Sequence, residues 1–317
     1  MTYAQFGTIQ ATDFNTLAGG NPTTTSGTLN AVWATGGGST GYGQPALANV
    51  ATGQAVAATS QWAALVANTA SAASHQGSSI TSVTAPVAGG TITYLSAIPT
   101  NLTTIYNNRL NAAAQGVSNF TTQTYGSTWS NQLTFTQTAT FANGNAARHF
   151  FNAGGQLKIT CNHPTGIGID LLLNNLASNV GTIVMSAPTS GTVSIAGTSY
   201  SGITKIGGGG NAPTIDTTKG YYGLTTANAT VFTQTASTGP SGYLSTFIRV
   251  IVKSNGTQGS NGDTGSVVTV YTIWDEVPNG LTASTGTATT LTAVPPSTTN
   301  IANTWGAITL SGSVAGS

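Results

Sequence analysis

The sequence predicts a mainly β protein with a few helices: an N-terminal α/β module followed by an antiparallel, sandwich-like β domain. Three observations lead there. Charged residues make up 4% of the chain, against about 25% in ordinary globular proteins, while apolar content stays near normal at 39%. Thr, Ser, Asn, Gln and 41 Gly stand in for the missing charge, a mixture suited to short strands and tight turns. Helical periodicity is concentrated early and strict alternation late. Disordered chains pair low hydrophobicity with high net charge, and a net charge of +1 on this apolar content argues for a folded one.

At 317 residues the chain exceeds the roughly 100–200 residues of a typical domain. The change of pattern suggests an assembly or docking module over 1–126 and a β-sandwich-like domain over 127–317. In the first, Thr12 or Asp13 is placed to cap a short helix. A clear helix is expected from Thr59 or Ser60 to Ser74, with Trp62, Leu65, Val66, Ala70 and Ala73 at helical spacing. A second is expected from Pro99 to Ala114, where Leu102, Ile105, Tyr106, Leu110 and Ala113 form one stripe.

After the turn-rich Tyr125–Ser130 stretch, Gln132–Phe141 alternates as a strand. Arg148–Cys161 reads as a β-hairpin turning at Gly154-Gly155, which puts His149, Phe151 and Lys158 on one face and Phe150, Asn152 and Cys161 on the other. Ile169–Asn179 has helical spacing, and Gly181–Met185 and Gly191–Ile195 read as short strands. Phe247–Lys253 and Val267–Trp274 are the strongest strands, an expected antiparallel pair. Trp305–Leu310 is the expected last strand.

Chemistry has little material. Six carboxylates, Asp13, Asp170, Asp216, Asp263, Asp275 and Glu276, are scattered. The adjacent pair Asp275 and Glu276 points to opposite faces of a strand, a poor arrangement for glycoside hydrolysis. Cys161 and His163, with His149 or His75, have the residue types of a metal site, yet a buried thiol and a satisfied histidine is the favoured reading. Gly207–Gly210 lacks the Lys-Ser or Lys-Thr of a phosphate loop. No histidine sits in a nucleophile-elbow context. The expectation is therefore no enzyme, no catalytic residue, no cofactor and no metal. Arg148 and Arg249 lie in apolar strands, and either one, if buried, needs a partner.

No basic stripe exists for nucleic acid, and no apolar run reaches membrane-spanning length. Met1–Gly7 has no signal-peptide pattern, and the single Cys161 cannot form an internal disulfide. Synthesis in a reducing cytoplasm is the expectation.

Ile9-Gln-Ala-Thr-Asp-Phe-Asn15, Leu29-Asn-Ala-Val-Trp33, Gly41-Tyr-Gly-Gln44, Gln61-Trp62 and His75-Gln-Gly77, together with Asn145-Ala-Ala-Arg-His-Phe-Phe-Asn-Ala-Gly-Gly-Gln-Leu157, Phe247-Ile-Arg-Val250 and the strand ending in Trp274, resemble virion structural proteins of tailed bacteriophages. The resemblance is to fibre or appendage proteins of the cyanophage type. It implies a non-enzymatic role in the virion, self-association as a homo-oligomer (a trimer being the common arrangement), contacts with other virion proteins, and a host-surface glycan as candidate partner. Phe151, Tyr221, Tyr222 and Tyr243 are the candidate stacking faces. The alternative is a purely architectural capsid cement, neck or baseplate protein without receptor binding.

Overall fold

Alternation of period two and stripes of period 3.6 separate into strands and helices largely where the composition changes. The computed structural model describes residues 11–37, 40–87, 96–259 and 261–316. The Met1–Gly7 stretch and the start of the Ile9–Asn15 run lie outside them.

Helix α1 spans Ala11–Ala18, α2 Ala63–Gln76 after one π-helical turn at Ala58–Trp62, and α3 Ala97–Asn107. Strands β1 (Asn119–Thr124) and β2 (Gln132–Thr140) precede α4 (Gly144–Asn152), β3 (Gln156–Asn162) and α5 (Ile169–Val180). Five short strands follow: β4 (Thr182–Met185), β5 (Val193–Ile195), β6 (Thr198–Tyr200), β7 (Ile203–Ile206) and β8 (Thr214–Ile215). The long strands β9 (Ala229–Thr235), β10 (Phe247–Ser254), β11 (Val267–Asp275), β12 (Ala288–Val294) and β13 (Thr309–Gly316) complete the chain.

Two antiparallel sheets form, ordered β1-β12-β3-β4-β7 and β13-β2-β11-β10-β9-β8, beside a small β5-β6 hairpin. β2, β10 and β11 alternate between buried and half-buried residues along their length. Their inward residues, such as Phe135, Val250 and Trp274, share one core with Leu157, Ile159 and Leu291 of the other sheet. Burying each such side chain contributes roughly 1.5–3 kcal/mol. The sheets are also stitched directly, because the Gln137 amide donates to the Thr121 and Thr289 carbonyls at 3.1 Å each. This is the expected sandwich-like, mainly β fold. The β10–β11 pair is in register from Phe247 opposite Asp275 to Ser254 opposite Val268. Among the described residues no helix is long and apolar enough to cross a membrane.

The early helices join the same core. Phe14 of α1 meets Trp62 edge-on at 5.4 Å, and Leu65, Leu102 and Ile105 are fully buried beside them.

Three expectations are corrected. Arg148–Cys161 is not a hairpin: its first part belongs to helix α4, capped by the Asn143 side chain accepting from the Ala146 N–H at 2.9 Å. Gly154-Gly155 ends that helix, with Gly154 at φ +95° and the Gly155 N–H donating to the Phe150 carbonyl at 2.8 Å. The stripe from Pro99 breaks at Asn107, because Ala112 pairs as a parallel bridge with Ile195 and the Asn111 side chain accepts from the Ser194 N–H. The last strand begins at Thr309 rather than Trp305, since Trp305 and Gly306 sit in a turn whose amides both donate to the Asn303 side chain.

Candidate functional site

Two polar constellations gather the three histidines, Arg148 and Asp170. The first surrounds α4. Its cap and its Ala-rich first turn set the helix so that Phe150 and Phe151 enter the core while Arg148, His149 and Asn152 meet Thr35 and the Thr40–Gln44 loop. Arg148, fully buried, donates to the Thr35 and Thr40 carbonyls at 2.9 and 2.7 Å. Asn152 donates to the Gly41 carbonyl at 2.9 Å and accepts from the Tyr222 hydroxyl. His149 packs so tightly on Gly43 that a Cβ there would lie 2.3 Å from the imidazole. Burial first, then the Arg148 guanidinium, lowers His149 to about 4, so it is a neutral packing group.

The same loop is held from the far end of the chain. Gln44 donates to the Ala302 carbonyl at 2.9 Å and accepts from the Ala302 N–H at 3.0 Å, and Thr304 donates to the Tyr42 carbonyl. Tyr42 in turn donates to the Arg109 carbonyl at 2.7 Å. Beside it, His75 donates to the Ala153 carbonyl at 2.9 Å, and burial lowers its pKa.

The second constellation centres on His163, just past β3. Its Nε2 lies 3.0 Å from Asp170 on α5 and its Nδ1 2.8 Å from the Thr287 hydroxyl. The Trp129 indole N–H, a donor only, reaches the same hydroxyl at 2.9 Å. Donor accounting fixes the protons: Trp129 gives to Thr287, Thr287 gives to Nδ1, and Nε2–H gives to Asp170. Burial lowers His163 despite the carboxylate. Burial works to raise Asp170, but hydrogen bonds from the Ser284 hydroxyl and amide and from His163 hold it below the usual carboxylate range.

An acid, an imidazole and a hydroxyl in line are the parts of a nucleophilic triad. Here Thr287 is fully buried and its oxygen is already occupied by the indole, leaving no approach for a carbonyl carbon. The arrangement clamps four segments together.

The remaining candidates are dispersed. Cys161 meets Thr289, and burial pushes its thiol up to about 12. It does not converge with His75 or His149, and the described residues hold no group of three or more metal-ligating side chains. His149 is separated from Cys161 by lying on α4, not by a strand register. Asp275 accepts from Gln132 at 2.7 Å, whereas Glu276 is buried, raised by that burial, and accepts from the Leu281 N–H. Gly207–Gly210 wraps the end of α5, its Gly209 N–H donating to the Asn179 carbonyl. Arg249 is half-buried over the Phe247 ring at 4.5 Å. Phe151 and Tyr221 are buried and stack on each other at 4.3 Å, while Tyr222 and Tyr243 are half-buried. The Asn143 cap and the seven-residue spacing of His163 and Asp170 were the signals that could have revealed both constellations.

No protein-family model, no curated protein and no solved structure matches the chain.

Proposed function

We propose that the chain is a non-enzymatic structural subunit of a bacteriophage particle, a tail-fibre or appendage component that contributes to attachment at the host surface. The observation that carries this reading is how its few ionisable side chains are used: Arg148, His149, His75, His163 and Asp170 tie distant segments together. The outward residues of β2, Gln132, Thr134, Thr136, Thr138 and Thr140, hydrogen-bond without charge. The run that carries the resemblance to virion proteins, Asn145–Leu157, is the helix and turn at the centre of the first constellation. Mass spectrometry and immunogold labelling of purified particles test the placement, and absence from particles would overturn it. For attachment, soluble protein should compete with phage adsorption to cells.

A second reading, an architectural cement, neck or baseplate protein, is favoured by the burial of Phe151 and Tyr221, which removes two of the four candidate stacking faces. Presence in particles without any effect on adsorption would select it.

A further inference from the structure

We propose that β13 is a self-pairing edge through which two copies of this chain associate, antiparallel and centred on Gly312, so that the six-stranded sheet continues across a twofold axis. The two large sheets end in four edge strands, β1 and β7 in one and β13 and β8 in the other. An edge strand presents unpaired N–H and C=O groups, and edges that stay single are blunted by charge, proline, bulges or shortness. β8 is two residues long, and β7 carries Lys205, whose ammonium reaches the Gly209 carbonyl at 3.3 Å. β13 has none of these devices. It is eight residues long, has no charge or proline, and keeps an unbroken register with β2 from Thr309 to Gly316. β1 is shorter, at six residues. Among the described residues no loop backbone hydrogen-bonds to β13.

The occupant is indicated by the strand's own sequence, Thr-Leu-Ser-Gly-Ser-Val-Ala-Gly. Read outward from Gly312, serine stands on both sides at 311 and 313, and a branched aliphatic at 310 and 314. Antiparallel pairing about Gly312 therefore sets Leu310 opposite Val314 of the second copy and Ser311 opposite Ser313. Leu310 and Val314 face the core side and are only partly covered by it, so each gains an apolar partner. Gly312 lies on the axis with its own chain's Gln123 and Gln137 packed on its inner face, where a Cβ would lie 2.8 and 3.0 Å from their Cγ atoms. β1 runs alongside, with the Asn119 amide donating to the Ile308 carbonyl at 2.9 Å. A chain with a strand of unrelated pattern gains the backbone bonds but not this matching.

The pairing is independent of the virion reading and differs from the threefold assembly that the resemblance implies. Light scattering of the purified protein should give twice the 31.7 kDa chain mass. Hydrogen exchange at residues 309–316 should slow as concentration rises. S311K/S313K places four ammonium groups around the axis, and S311E/S313E four carboxylates. Each should be monomeric with unchanged circular dichroism. Mixing the two should restore a 1:1 pair, because the ammonium groups of one variant then face the carboxylates of the other across the axis. A monomeric or trimeric native protein overturns the proposal, as does a pair that persists in both variants or a mixture that stays monomeric.

Discussion

Arg148 and Arg249 show how much one residue's surroundings decide. Arg148 donates to the Thr35 and Thr40 carbonyls, which a thioether cannot do, so Arg148→Met should cost about 3 kcal/mol of unfolding free energy. Arg249→Met removes a stack on Phe247 and should cost about 0.5–1 kcal/mol. Urea denaturation of the two variants checks the contrast, and equal losses would contradict it. The histidines add a pH dependence. His75, His149 and His163 are all held below the ordinary 6.5, so the folded protein binds fewer protons than the unfolded chain once pH drops beneath that value. Stability is then full above about pH 6.5 and lost as pH falls towards 4. His149 alone, lowered to about 4, is worth roughly 3 kcal/mol across that window. Asp170 adds a further loss below its ordinary 3.8, and Glu276, raised by burial, works in the opposite sense. Urea midpoints between pH 7.5 and 4.5 should fall, and His149→Gln should flatten the slope.

At the scale of elements, the turn after β7 offers a controlled comparison. Gly207 and Gly208 both have positive φ, +68° and +71°, but only at Gly208 would a Cβ strike backbone, 2.1 Å from the Asn179 oxygen. Gly207→Ala should cost about 1 kcal/mol for the left-handed backbone alone, and Gly208→Ala clearly more, in paired thermal melts. Strands were the most legible elements, since alternation in Gln132–Thr140, Phe247–Ser254 and Val267–Asp275 reports a sheet with one buried face. Helix α4 was not. Its aromatic pair and following glycines fit a hairpin as well as a helix, and the decisive feature is the Asn143 cap that precedes them. Asn143→Ala should cost about 1 kcal/mol, and more if the cap also sets the angle of Arg148. The His163 clamp was illegible for another reason: Thr287 and Trp129 are 124 and 34 residues from the imidazole in sequence, and only the fold brings them together.

For the molecule as a whole, seven basic and six acidic side chains in 317 residues leave few exposed pairs for salt to screen. The melting temperature should shift by no more than about 2 °C between 20 mM and 1 M sodium chloride, in contrast to proteins stabilised by surface ion pairs. A shift several times larger would show that charge matters more than its scarcity suggests. The bonds between Gln44 and Ala302 carry a different consequence, one of timing. They join residues 258 apart in sequence, and at roughly 5–20 residues per second of synthesis the first waits about 13–50 s for the second. During that interval the Thr40–Gln44 loop has neither Ala302 nor Thr304 to hold it. A nascent chain stalled before residue 302 should therefore be cut by protease within the Thr40–Gln44 loop, where the released protein resists.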